Sequence, residues 1–241
     1  MDFNACPGIG VDGIGCKNRN LSDHMNEVYR FLSEIKSECD GLKLEICSSG
    51  GFRNTYAYMK IADMVSVTDI HFSDDIAYTA NNMARIIPPQ QLQLWCTLDN
   101  KRTDDELIFY MCVAMLGRLC FSGNIFALSE EKTSILDKGV AYYTDLAPIN
   151  GRSEIVLSYV PEDYTSLNPL GELYTVKSYD GGMLVYLYCF GPKEDIIVDY
   201  DLTGYVVEER FGNMPFTLEG GRLVARAESD HNAIVIRLIE Q

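Results

Sequence analysis

The feature that most constrains the fold is a change of texture near Pro148. Ahead of it, short apolar runs alternate with stretches of helical spacing. Behind it, helical spacing disappears. Met25, Val28, Phe31, Leu32 and Ile35 recur at helical intervals, so 23–38 is expected as an amphipathic helix, with Ser22 as its N-cap and Gly41 past its end. Strands are expected at 42–46, 64–67, 92–98 and 124–128, and helices at 54–62, 74–86, 106–119 and 130–145. Pro88-Pro89 stops one helix. Asp104-Asp105 opens the next, where acidic residues suit the positive end of the helix dipole. Ser129 caps the last, with Glu at two of its first positions. Strand and helix in alternation, with short connections, mean parallel β/α units.

After Pro148 the runs at 172–178, 183–190, 196–200, 205–209, 222–227 and 233–239 are rich in Val, Tyr and Ile. Asp180-Gly181-Gly182, Gly191-Pro192 and Gly220-Gly221 separate them as turns. This predicts an antiparallel β domain, a sandwich by default. The expected organisation is therefore α/β plus all-β, with β/α units over 1–148 and a β domain over 149–241.

Composition narrows the class of function. No run of 18 apolar residues occurs, so no membrane span is expected, and no basic region followed by an apolar stretch marks a secretion signal. Net charge is −15 and the longest basic runs are pairs such as Lys101-Arg102, which argues against nucleic acid as a partner. The acidity suits a cytoplasmic enzyme with a neutral or cationic ligand. The eight cysteines form no CxxC and the three histidines are scattered, so the thiols read as reduced and buried, and no zinc site is expected.

Two aspartates stand where apolar stretches end: Asp2 in Met1-Asp2-Phe3-Asn4, and Asp69 in Val67-Thr68-Asp69. Between them lies Leu44-Glu45-Ile46-Cys47-Ser48-Ser49-Gly50-Gly51. Carboxylates at successive strand ends, with a glycine-rich strand end between, are what a barrel sugar hydrolase needs: retention requires two carboxylates about 5 Å apart. Asp2 and Asp69 are 67 residues apart, the length of about two β/α units. On spacing alone both also read as ordinary loop or cap aspartates. Gly8-Ile9-Gly10-Val11-Asp12-Gly13 matches GxGxxG, but the preceding strand and the helix opening that a dinucleotide site requires are absent, so a flexible active-site loop is expected there. Cys47-Ser48-Ser49-Gly50-Gly51 is not a GxSxG elbow; its glycines would let backbone N–H groups approach a ligand. Arg53 reads as a sugar ligand or a salt-bridge arginine. His71 would share a face with Asp69 in an extended segment or sit in a solvated loop. Trp95 is a core residue or a sugar-stacking platform.

These residues resemble the α-galactosidases of glycoside hydrolase family 36. That family carries Lys-x-Asp-(Phe/Met)-Asn, and Asp2-Phe3-Asn4 matches its last three positions. It then shows Glu-x-Cys-(Ser/Ala)-(Ser/Gly)-Gly-Gly-x-Arg, matched by Glu45-Ile46-Cys47-Ser48-Ser49-Gly50-Gly51-Phe52-Arg53. Thr68-Asp69 matches the (Ser/Thr)-Asp of its acid/base, and Ala80-Asn81, Pro88-Pro89-Gln90 and Trp95 resemble the family's Ala-Asn, Pro-x-Gln and Trp further along the chain. The resemblance implies a retaining glycosidase acting on terminal α-galactosides without metal or organic cofactor. Asp2 would be the nucleophile and Asp69 the acid/base. Asn4, Cys47, Gly50 and Arg53 would line the sugar. Ser66 and Thr55 stand where many members carry Trp and Asp, departures that bear on galactose specificity more than on reaction type.

A closed barrel of this kind needs eight strands. The resemblance thus implies the C-terminal half of a (β/α)8 TIM barrel, from the end of strand 4 to helix 8, followed by a β-sandwich. On that expectation the chain begins inside its own active site, and the purified chain alone is inactive or nearly so. Unpaired strand edges would seek a homo-oligomer or a complementing N-terminal half-barrel. The rival from another class is a non-catalytic fragment or half-barrel interaction module.

Overall fold

The computed structural model describes residues 19–47, 51, 53–70, 74–162 and 169–241. The chain divides into two compact units, Met1–Asp69 and Ile70–Gln241.

In the first unit, α1 (Arg19–Glu38) is followed by β1 (Glu45–Ile46), α2 (Tyr56–Ile61) and β2 (Met64–Ser66). Leu32 is buried, and Tyr29 meets Tyr58 of α2 edge-on with ring centroids 4.5 Å apart. Phe31, expected on the buried face of α1, is instead 59% exposed. The contact stripe runs through Tyr29 and Leu32, which share a helix face that Phe31 leaves. At the end of α1, the Lys36 ammonium donates to the Ile61 carbonyl at 2.8 Å and pairs with Asp63 at 2.9 Å. The backbone N–H of Leu44 also donates to Asp63, at 2.8 Å, and with Lys36 holds its carboxyl below the usual range. The start of β1 is thereby tied to the start of β2. The two strands pair in parallel, with Glu45 opposite Met64 and Ile46 opposite Val65.

In the second unit, α3 (Asp75–Met83), β3 (Leu92–Leu98), α4 (Asp104–Ala114), β4 (Arg118–Gly123) and α5 (Glu130–Asn150) continue the alternation. β3 and β4 are parallel, from Gln93 opposite Arg118 to Leu98 opposite Gly123. A capping box opens α4: the Thr103 hydroxyl accepts from the Glu106 N–H at 3.2 Å, and the Thr103 N–H donates to the Glu106 carboxylate at 2.6 Å. The helix is apolar on nearly every side, with Leu107, Phe109, Tyr110, Met111, Cys112, Val113 and Ala114 all buried. Burying a large side chain of this kind contributes on the order of 1.5–3 kcal/mol relative to exposure. The helix ends at Ala114 rather than 119, and the following strand covers 118–123 rather than 124–128, where a 3-10 turn spans Ile125–Ala127. A helix without a polar face has no periodicity to lose, so the apolar run could not mark its end. Gly117 makes the turn; a Cβ there would meet the Leu92 carbonyl at 2.3 Å.

After α5, every regular element among the described residues is a strand. β5 (Glu154–Tyr159), β6 (Gly171–Tyr179), β7 (Gly182–Phe190), β12 (His231–Glu240) and β9 (Tyr205–Gly212) form an antiparallel five-stranded sheet in that spatial order. β10 (Phe216–Glu219), β11 (Arg222–Ala227) and β8 (Lys193–Ile197) form a three-stranded one. Between the sheets lies a core of Val176, Val185, Leu187, Ile196, Leu223, Ile234 and Ile236, among others. The larger sheet is buried on its other face as well. The Tyr188 hydroxyl donates to the Cys112 carbonyl of α4 at 3.3 Å, and the Tyr142 hydroxyl of α5 donates to the Val235 carbonyl of β12 at 3.1 Å. Asn81 of α3 donates to Ser158 and to the Tyr159 carbonyl, both at 3.2 Å, and accepts from Thr175. All nine residues of β7 are consequently buried. This two-sided cover makes helices and strands of residues 70–241 one compact unit, and the switch from helix to strand falls inside it.

Candidate functional site

Parallel pairing puts the carboxyl ends of β1 and β2 on one side. Beyond β1, Cys47 makes an isolated bridge and is half-buried. Gly51 lies at φ +99°, where a Cβ would stand 2.8 Å from the Val67 carbonyl. Only glycine fits that approach. Gly51 thus packs closely against the chain leaving β2. Arg53, half-buried, donates from Nη1 to the Cys47 carbonyl at 3.3 Å, and Asn54 donates to the Ser66 carbonyl at 3.3 Å. The same segment is closed by Thr55, which caps α2.

Along the second strand, Val65, Ser66, Val67 and Thr68 are all buried, and Asp69 is the first exposed residue after them. The carboxylate emerges where the buried run stops. Arg53 and Asp69 therefore stand at the same end of the parallel pair. An exposed carboxylate can exchange a proton, and a guanidinium can donate to hydroxyl groups. The expected roles of Asp2, Asn4, Gly50 and His71, the 8–13 loop and the Asp2–Asp69 separation fall outside the described residues. Trp95 is half-buried at the middle of β3, opposite Cys120, rather than at a strand end. Asn54, which ties the two strand ends together, was not picked out from the sequence; no local pattern distinguishes it.

A second polar group lies in the Ile70–Gln241 unit. Asp74, at the N-terminus of α3, accepts from the Tyr110 hydroxyl at 2.8 Å and is 2.9 Å from Nε2 of His231 in β12. Burial pushes the Asp74 carboxyl up, but the hydrogen bonds from His231 and Tyr110 outweigh it and hold the group below the usual carboxylate range. The bond to Asp74 raises His231 against the opposing effect of burial. Burial and the neighbouring carboxylate raise the Tyr110 phenol. The Arg102 guanidinium stacks on the Tyr110 ring, 4.1 Å from its centroid. This charge-assisted pin joins residues 157 positions apart in sequence.

No protein-family model and no curated protein matches the sequence. Solved structures do match. A variant of the GH36 α-galactosidase AgaA from Geobacillus stearothermophilus, in complex with 1-deoxygalactonojirimycin, has TM-score 0.79 and 17% identity over 100% of this chain and 35% of that chain. Another AgaA variant, in complex with raffinose, gives TM-score 0.78 and 16% identity over the same shares, 100% and 35%. The α-galactosidase from Lactobacillus brevis gives TM-score 0.75 and 14% identity over 95% of this chain and 33% of that one. The chain thus spans about a third of the length of the structures it matches, and at these identities the likeness is one of fold. At that level it agrees with the resemblance read from the motifs: the fold is that of part of a GH36 α-galactosidase.

Proposed function

We propose that this chain supplies part of the active site of a retaining, α-galactosidase-like glycoside hydrolase. The observation that carries the reading is a fold likeness to GH36 α-galactosidases running the whole length of the chain. The position of Arg53 and Asp69 at the carboxyl end of a parallel strand pair supports it, because (β/α)8 enzymes build their active sites at that end. On this reading the β/α units are the second half of a barrel and the strands after α5 its β-sandwich. Asp2 attacks the anomeric carbon and displaces the leaving group. Asp69 protonates the departing oxygen, then takes a proton from the water that hydrolyses the glycosyl-enzyme. Asn4, Cys47, Gly50 and Arg53 line the sugar. The substrate is a terminal α-galactoside, the class to which the raffinose held by the Geobacillus enzyme belongs.

The test uses two substrates. Raffinose has a poor leaving group and needs the acid; p-nitrophenyl α-galactoside does not. The chain is assayed alone and mixed with a polypeptide carrying four further β/α units. Asp2→Asn should abolish turnover of both substrates. Asp69→Asn should slow raffinose by about 10²–10⁴-fold and the aryl galactoside far less. Turnover insensitive to both substitutions rejects the assignment. No turnover in either preparation favours the non-catalytic interaction module.

A further inference from the structure

A cavity of about 610 Å³ opens between the turn after α3, the end of α5 and β5. Its walls are mixed, with Ile155 and Leu157 beside the polar Gln90 and Ser153, and Lys177 of β6 reaches it from within the sheet. Lys177 is 1% exposed. Its ammonium donates to the carbonyl and the side-chain oxygen of Asn150, at the C-terminus of α5. Asn150 is itself committed, donating to the Met115 and Leu116 carbonyls at 3.1 and 3.0 Å.

Both acceptors of the ammonium are neutral, and no carboxylate among the described residues forms an ion pair with it. Burial, with no compensating charge, pushes Lys177 down to about 8. A helix C-terminus favours a cation, but a capping bond asks only for a donor. A buried charge left without a counter-ion is otherwise costly. A second cation, Arg85, lines the same cavity and makes no ion pair among the described residues. One carboxylate, Glu154, lies on the wall and is exposed. The cavity thus presents one buried cation, Lys177, and one exposed cation, Arg85, in a chain of net charge −15.

We propose that this cavity binds a small organic carboxylate, its anionic head at Lys177, its short apolar body against Ile155 and Leu157, and its approach guided by Arg85. The ligand supplies the counter-ion that the chain withholds.

Hexanoate is the probe and hexanol its neutral counterpart, titrated calorimetrically into the full chain. Saturable hexanoate binding in the millimolar range is expected, with hexanol at least tenfold weaker. Lys177→Met, which keeps the length of the side chain and removes the charge, should weaken hexanoate at least tenfold and leave hexanol unchanged. Arg85→Gln should weaken hexanoate a few-fold. Should Lys177→Met fail to fold by circular dichroism, the hexanoate–hexanol contrast in the native chain and the Arg85→Gln result decide the matter. Absence of saturable hexanoate binding, equal binding of hexanol, or binding indifferent to Lys177→Met in a folded protein overturns the proposal.

Discussion

The carboxyl end of β1 and β2 and the five-stranded sheet are built on opposite terms. The paired strands of the first unit are two and three residues long, and their ends are joined by a few local bonds. β7 of the sheet is nine residues long and covered on both faces. A strand that stops early frees its end for side chains such as Arg53 and Asp69 to meet solvent. β7, covered on both sides, leaves no exposed side chain and concentrates the apolar burial that drives folding. Candidate chemistry and stability are thus carried by different strands, and substitutions should separate them.

The largest stability effect is expected inside the sheet. Leu187→Ala empties a fully buried position between the two β layers and should cost about 2–5 kcal/mol in denaturant unfolding. A cost below about 1 kcal/mol would mean that the sheet interior is not the close-packed region described. Next comes Gly51→Ala. The positive φ and the 2.8 Å approach to Val67 both oppose a side chain, so a loss of about 1–3 kcal/mol is expected in the same measurement. An unchanged midpoint would show that the turn after β1 moves freely, and the contrast with β7 would sharpen further.

The pin at Asp74 tests the contrast from the second unit. His231→Gln should cost about 1 kcal/mol near neutral-to-acid pH, given that both partners are about a quarter exposed. His231 is raised, so its contribution is complete below the unfolded imidazole value of about 6.5 and is lost as pH rises through the folded one. Asp74 is lowered, so its contribution is complete above the unfolded carboxylate value of about 3.9 and is lost as pH falls through the folded one. The difference between wild type and variant should therefore be greatest between about pH 4 and 6.5 and shrink on both sides. A difference that is flat with pH would mean the pair is not ionised in the folded protein. The smallest stability effect is expected of Asp69→Asn, within about 0.5 kcal/mol, since the side chain is exposed. A large loss of stability there would make Asp69 a structural residue and erase the distinction between the two regions.

Much of this was legible in the sequence. The alternation of helices and strands up to α5 was, as were the all-strand run after it and the Gly181 turn joining β6 to β7, where φ is +83°. So was the placement of Asp69 past the end of an apolar strand. β5 and β10 were missed, and β4 was displaced. β5 is an edge strand whose exposure follows no clean alternation, and β10 is four residues long, so neither presents a strong period of two. The expected helix ran on to 119, over the first two residues of β4, because the apolar run of α4 continues into the start of that strand. For the candidate site, the residues at the ends of β1 and β2 were named, but their mutual bonds were not. The Gly51–Val67 approach and the Asn54–Ser66 bond depend on how two strands come to lie side by side.

What the sequence determined by itself was local. Spacing of apolar residues, caps such as Thr103 and Ser129, and glycine turns choose helix, strand or stop within a few residues, because those preferences are settled by neighbours along the chain. The tertiary structure decided everything that joins distant positions: which strands are covered on both faces, that Asn81 serves β5 and β6, that Lys177 meets Asn150, and that His231 meets Asp74. A polar side chain carries no mark of its distant partner. The bond becomes necessary only when packing removes water from both groups, and an unmet group in that environment costs more than any local preference can offset.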